Sequence, residues 1–231
     1  MKTIGIIGGL GPASTVKYYE WLTAGVNARL GGNHSARIIM TSVNGEDVKA
    51  RRLSGDPAAE GAFFAAEAKR LETAGADFIL ITSNTSHKNA PAVEAAVSIP
   101  LLHLAEATAA RVVAAGIKKI GLLGTIYTME EDFYISRLQK HGLDVIVPEA
   151  ADRAWISETI YGPLTRGIVT PETKATFAEI IARLAEQGVG GVILGCTELT
   201  LLSLPGSPVP LFDTTKIHVE EALNFALSAK D

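Results

Sequence analysis

The chain repeats itself, and that constrains its fold more than any other feature. Gly75-Ala76-Asp77-Phe78-Ile79-Leu80-Ile81-Thr82-Ser83-Asn84-Thr85 aligns without gaps on Gly188-Val189-Gly190-Gly191-Val192-Ile193-Leu194-Gly195-Cys196-Thr197-Glu198. Lys2-Thr3-Ile4-Gly5-Ile6-Ile7-Gly8-Gly9 resembles Lys118-Lys119-Ile120-Gly121-Leu122-Leu123-Gly124-Thr125. Ile99-Pro100-Leu101-Leu102-His103 matches Val209-Pro210-Leu211-Phe212-Asp213. Three pairs in the same order argue for two homologous halves. The register sets Ser83 on Cys196, the one cysteine of the chain. Halves related by a pseudo-twofold would aim these two residues at one cleft from opposite sides. A two-base enzyme needs that geometry, because one group removes a proton and the other returns it to the opposite face.

Each half alternates strands with helices. In the first, the short apolar run Lys2–Ile7 predicts a buried parallel strand. Pro12 then opens a helix running to about Arg29. Strands are expected over Ala36–Thr41 and Phe78–Ile81. Between them lie a polar loop from Val43 to about Asp56 and a helix that Asp56-Pro57 caps and Gly75 ends. Asn84–Val97 is mostly helix, Leu101-Leu102 a short strand, and Ala105–Ala115 a helix.

The second half repeats the plan. Its strands are Lys119–Leu123, Asp144–Val147, Val192–Leu194 and Leu211-Phe212. Thr128-Met129-Glu130-Glu131 reads as a capping box, Thr170-Pro171 as a second helix start, and Thr214–Leu227 as the last helix. Strict alternation means α/β with parallel sheets, and such sheets bind ligands at strand carboxyl ends. Leu10, Ser83, Thr125 and Cys196 all fall at such ends.

The 231 residues suffice for two small domains with proper cores. A net charge of −4 gives no electrostatic case for nucleic acid. One cysteine excludes an intrachain disulfide and suits a reducing compartment. Met1-Lys2-Thr3 runs straight into a strand, without a signal peptide pattern. No apolar run has the length of a membrane span. The expectation is a cytoplasmic protein with neither nucleic-acid nor membrane partners.

The chemistry centres on the two aligned residues. A cysteine between a strand and a helix start faces backbone N–H groups, which lowers a thiol pKa from about 8.5 and favours thiolate. Ser83 is a far weaker acid and needs activation to serve as a base. It can still deliver a proton to a carbanion, so unequal rates for two enantiomers are expected. Asn84, Thr85 and Thr197 offer amide and hydroxyl donors beside helix starts, suited to an α-carboxylate. Thr125, the counterpart of Gly9, adds another. Arg52 is a candidate for a side-chain carboxylate, since a guanidinium matches it bidentately. Asp47 and Glu198 are candidate partners for an ammonium group. His87 lies one helical turn from Ser83 and is a candidate to orient it.

Taken together, Gly8-Gly9-Leu10-Gly11-Pro12, Ser83-Asn84-Thr85-Ser86-His87, Gly121-Leu122-Leu123-Gly124-Thr125 and Gly195-Cys196-Thr197-Glu198 resemble the aspartate/glutamate racemase family over essentially the whole chain. That resemblance implies two pseudo-symmetric four-stranded parallel α/β domains with the active site in the cleft between them. The halves are set at 1–98 plus 209–231 and at 99–208. It implies cofactor-independent racemisation of a small dicarboxylic amino acid, aspartate or glutamate, with Cys196 and Ser83 on opposite faces of Cα, and a homodimer. The family's usual Cys-Asn-Thr is Ser83-Asn84-Thr85 here, which places the chain beside a branch with a hydroxyl residue at that position. The lysine that many aspartate racemases carry after the sixth helix is not evident; Thr165-Arg166 stand there.

Rival chemistries fit less well. Gly9-Leu10-Gly11-Pro12-Ala13-Ser14 lacks the third glycine of a dinucleotide fingerprint. Clustered His and Cys ligands for a catalytic metal are missing from the sequence. Ser83 is not in a Gly-x-Ser-x-Gly elbow. Two alternatives stand beside the racemase. One is a single-cysteine decarboxylase or isomerase of the same superfamily. The other is a non-catalytic amino-acid-binding protein.

Overall fold

A computed structural model describes residues 1–228. It contains two compact units, Met1–Leu104 with His218–Asp231 and Ala105–Ile217. Residues 229–231, expected in the first half, lie outside the described residues.

The first unit is built on β1 (Ile4–Gly8), β2 (Ile38–Ser42) and β3 (Phe78–Ile81) in the order β2-β1-β3, all parallel. Helices α1 (Pro12–Leu30), α2 (Gly45–Leu53) and α3 (Pro57–Thr73) connect them, and α4 (Ala90–Ala96) follows β3. Every residue of β1 and β3 is buried, because helices cover both faces of the sheet. Alternate residues go to opposite sides. Ile4, Ile6, Phe78 and Leu80 pack with Tyr18, Leu22 and Val26 of α1. Ile7, Ile79 and Ile81 pack with Phe64, Ala68 and Leu71 of α3.

The second unit holds β4 (Lys119–Gly124), β5 (Asp144–Ile146), β6 (Val192–Gly195) and β7 (Leu211–Asp213) in the order β5-β4-β6-β7, again parallel. Helix α5 (Leu104–Ala114) leads into it, followed by α6 (Ile126–Glu130), α7 (Asp132–Lys140), α8 (Ala150–Tyr161) and α9 (Pro171–Glu186). The last helix, α10 (Thr214–Leu227), begins in this unit and continues into the first. The two sheets share one strand order, as the duplication requires. The first stops at three strands, with Leu101 beside Ile79 as an isolated bridge where β7 would correspond.

Three expectations need correction. The division falls at 104/105 and 217/218 instead of 98/99 and 208/209. The reason is pairing: β7 hydrogen-bonds to β6, and Leu101 bridges to β3, so each last strand stays with its own sheet. The segment expected as a loop from Val43 contains α2. Asn44 caps it, accepting from the Glu46 N–H at 3.1 Å. Acidic residues in its first turn and arginines in its last complement the helix dipole. Val48 is its buried residue, so apolar periodicity could not reveal it. Finally, the second-half cap is Thr125 in place of Thr128. Its hydroxyl accepts from the Thr128 N–H at 3.4 Å, and the chain is extended again at Glu131. A threonine directly after the strand satisfies those donors one turn earlier.

Among the described residues, no helix is long and apolar enough to cross a membrane. A buried aromatic group lies in the first unit. His218 accepts from the Tyr18 hydroxyl at 2.8 Å and donates to the Leu102 carbonyl at 2.9 Å. His87 stacks near both His103 and His218, with ring centroids 4.6 and 5.8 Å apart.

Two outcomes follow from these contacts. Gly195 pairs with Gly124, and a Cβ on Gly195 would lie 2.7 Å from the Leu123 carbonyl oxygen. Gly195→Ala is expected to cost about 1–3 kcal/mol in urea unfolding, because backbone rather than a side chain must move. Burial drives the His218 pKa from 6.5 down to about 4. The unfolded chain therefore takes up a proton that the folded chain refuses. Stability is full above pH 6.5 and is lost as pH falls towards 4, by about 2 kcal/mol from pH 7 to pH 5. His218→Asn should flatten this part of the pH dependence.

Candidate active site

Strand carboxyl ends organise both candidate centres. In the first unit, β1 ends at Gly8 and turns at Gly9, where φ is +83°. A Cβ there would overlap the Val43 backbone, so only glycine fits. Leu10 follows, half-buried on the α3 side of the core. Thr15 of α1 secures the turn. Its hydroxyl accepts from the Gly9 N–H at 2.9 Å and donates to the Gly11 carbonyl at 3.1 Å. It also lies 3.3 Å from the Thr82 hydroxyl. Sequence reasoning missed Thr15 and Thr82. A threonine in the first turn of a helix after a glycine turn was the available signal.

Ser83 lies two residues beyond β3, after Thr82, and is partly exposed, whereas Asn84 and Thr85 are 3% and 6% exposed. The Ser83 hydroxyl accepts from the Ser86 N–H at 3.3 Å and so caps the 3-10 turn Thr85–Asn89. Its bonded partner is a donor, not a base. This hydrogen bond occupies the Ser83 oxygen and leaves the hydroxyl proton out of it. His87 holds the same turn. Its Nδ1–H donates to the Ser83 carbonyl at 2.7 Å, and its Nε2 accepts from the Leu104 N–H at 3.3 Å. Those two partners select the neutral ring with the proton on Nδ1. The expected orienting role of His87 thus acts on the Ser83 backbone rather than its hydroxyl.

Cys196 follows β6 and is 9% exposed, packed with Leu123, Met129 and Leu199. Its Sγ–H donates to Glu198 Oε2 at 2.9 Å, and the Thr197 hydroxyl donates to the same oxygen at 2.8 Å. Burial first, then the Glu198 charge, push the thiol well above its usual range. The expected lowering is overturned. The segment after Cys196 is a five-residue 3-10 turn, Thr197–Leu201, instead of a helix with a developed dipole. A carboxylate sits where an anion-stabilising donor was expected.

The remaining candidates divide. Thr125 is 3% exposed at the end of β4, with its hydroxyl 3.2 Å from that of Thr128. The Ser157 hydroxyl accepts from the next N–H, of Ile126, at 3.1 Å, a support the sequence did not reveal. Arg52 on α2 places Nη2 2.6 Å from Glu60 Oε1 and Nε 3.2 Å from the same oxygen. Glu60 is nearly buried, so the pair is structural as well as polar. Asp47 is exposed on α2. Among the described residues, no group of three His, Cys, Asp or Glu side chains can hold a metal ion.

Two duplicated parallel sheets, each followed at a strand end by a hydroxyl or thiol residue, define an α/β protein whose ligand-binding ends are the carboxyl ends of its strands. The chain belongs to the Asp/Glu/hydantoin racemase family, whose pattern it matches over residues 7–222. Racemases are isomerases that invert a chiral centre. A crystal structure from Yersinia pestis, described as a candidate Asp/Glu racemase, superposes with a TM-score of 0.93 at 44% identity, covering 99% of this chain and 100% of that one. An aspartate racemase homologue from Pyrococcus horikoshii gives 0.85 at 32% identity, with 98% and 99% coverage. The broad specificity amino-acid racemase RacX of Bacillus subtilis is 28% identical over 153 residues, 64% of each chain.

Arg52→Ala leaves the Glu60 carboxylate buried without its partner. It is expected to cost about 3–5 kcal/mol in urea unfolding. Replacing both residues at once, Arg52→Met with Glu60→Gln, should recover most of that loss.

Proposed function

We propose that the protein is a pyridoxal-phosphate-independent racemase of aspartate or glutamate, with Cys196 and Ser83 as its two proton-transfer residues. One observation carries the reading. The duplicated sheets present a thiol and a hydroxyl at equivalent strand ends, in a chain of the Asp/Glu/hydantoin racemase family. The Pyrococcus horikoshii aspartate racemase homologue and the broad specificity racemase of Bacillus subtilis support an amino-acid substrate.

In this reading Cys196 takes the α-proton from one face and Ser83 supplies a proton to the other. Asn84, Thr85, Thr125 and Thr197, with the main chain at Leu10, hold the α-carboxylate. Arg52, which pairs with Glu60 through Nε and Nη2, is the candidate partner for the side-chain carboxylate. The roles of the two proton-transfer residues are unequal. A hydroxyl bonded to an N–H donor gives a proton to a carbanion more readily than it removes one from Cα. One enantiomer is therefore consumed faster. A cytoplasmic homodimer belongs to the same reading.

A single-cysteine decarboxylase is the second reading. A thiol held protonated beside Glu198 suits protonation of a carbanion left by CO₂ loss.

The deciding measurement follows α-proton loss by NMR in D₂O for L- and D-aspartate and L- and D-glutamate, with chirality read by chromatography. Exchange with inversion is expected, lost by about 10³-fold or more in Cys196→Ala. Ser83→Ala should retain exchange of one enantiomer and lose inversion. No exchange with any of the four would overturn the racemase reading in favour of decarboxylation.

A further inference from the structure

The racemase reading leaves a difficulty at Cys196. A base must lose its proton, yet this thiol is buried and shares a hydrogen bond with a carboxylate. Glu198 Oε2 collects two donors, Sγ of Cys196 at 2.9 Å and the Thr197 hydroxyl at 2.8 Å. Glu198 is two residues from the thiol, on the same tight turn, which the Leu199 N–H closes onto the Cys196 carbonyl at 3.1 Å. The turn therefore keeps carboxylate and sulfur together. An anion on the sulfur there would meet a like charge at contact distance.

We propose that Glu198 is a catalytic residue: its carboxylate keeps the Cys196 thiol protonated until the ammonium group of the bound amino acid replaces Sγ–H as its partner. This rests on the racemase reading and explains how the thiol becomes a base only with substrate present. The ammonium group neutralises Glu198 and ends its hydrogen bond to sulfur. The thiol S–H bond then breaks, and its proton passes to water. The thiolate lone pair takes the α-proton, forming S–H as Cα–H breaks and leaving the electron pair on Cα. The Ser83 hydroxyl protonates the other face and recovers a proton from water. Other groups around the sulfur do not duplicate Glu198. Tyr134 of α7, electrostatically coupled to the thiol, is itself pushed far up by burial and stays neutral. Asp213, which ends the neighbouring β7, is engaged by the N–H groups of Thr215 and Lys216 at 3.0 and 3.1 Å. The burial and the Glu198 charge that raise the thiol agree with this geometry.

The single cysteine makes a direct test possible, because protein labelled with ¹³Cβ-cysteine gives one resonance. Its pH titration is followed in wild type, Glu198→Gln and Glu198→Asp, each with and without D- or L-aspartate, and with succinate. Succinate has both carboxylates and no ammonium group. In the empty protein Glu198→Gln should lower the midpoint by about one pH unit or more, while Glu198→Asp stays nearer wild type. Aspartate should lower the wild-type midpoint and leave that of Glu198→Gln unmoved; succinate should lower neither. Glu198→Gln should also raise KM about tenfold or more and shift the pH profile of exchange. An unchanged midpoint in Glu198→Gln, or succinate acting as strongly as aspartate, overturns the proposal. Binding of aspartate without a midpoint shift overturns it too, leaving the racemase reading intact. Failure of aspartate and glutamate to bind overturns both.

Discussion

A parallel sheet covered on both faces must carry all its side chains into packed cores. Polar chemistry can then leave the sheet only where the strands stop. Both units obey this constraint. The side chains of β1, β3, β4 and β6 are almost wholly buried, and the first polar residues stand where these strands end. Thr82 and Ser83 follow β3, Thr125 follows β4, and Cys196 follows β6. Glycines make close approach possible there. Gly8 lies against Thr15, and Gly124 pairs with Gly195 above Thr128.

The duplication supplies two such ends, and divergence has made them chemically unequal. The serine end is partly open, and its hydroxyl bonds an N–H donor. The cysteine end is buried and tied to a carboxylate. In one unit the rings of His103 and His218 lie against His87, with centroids 4.6 and 5.8 Å away. In the other the neighbour is Glu198. Equivalent strand ends thus carry a partly open hydroxyl in one half and a buried thiol in the other.

Much was legible in the sequence. Strands β3 and β7 and helices α1 and α10 fell within a residue or so of expectation, because buried parallel strands and proline- or threonine-led helices have strong local signals. Helix α2 was missed because Val48 is its one buried residue. Its stability comes from the Asn44 cap and from Arg52 reaching Glu60 on the next helix, which no periodicity encodes. The domain boundary was missed for a related reason. A three-residue strand such as β7 belongs to whichever sheet accepts its hydrogen bonds, and pairing is not a local property.

By itself the sequence determined the duplication, the alternating parallel architecture, and which side chains occupy the strand ends. These follow from hydrophobic runs, turn residues and register, all properties of neighbouring residues. Only the tertiary structure decided their electrostatic character. The thiol was expected to be lowered by a helix start. Instead it is raised, first by burial and then by Glu198, which a turn too short to build a dipole folds onto the sulfur. Arg52 was expected as a partner for a ligand carboxylate, and the fold also gives its guanidinium an internal partner, the nearly buried Glu60. Charges act through distance and burial, and both are set by how the chain packs.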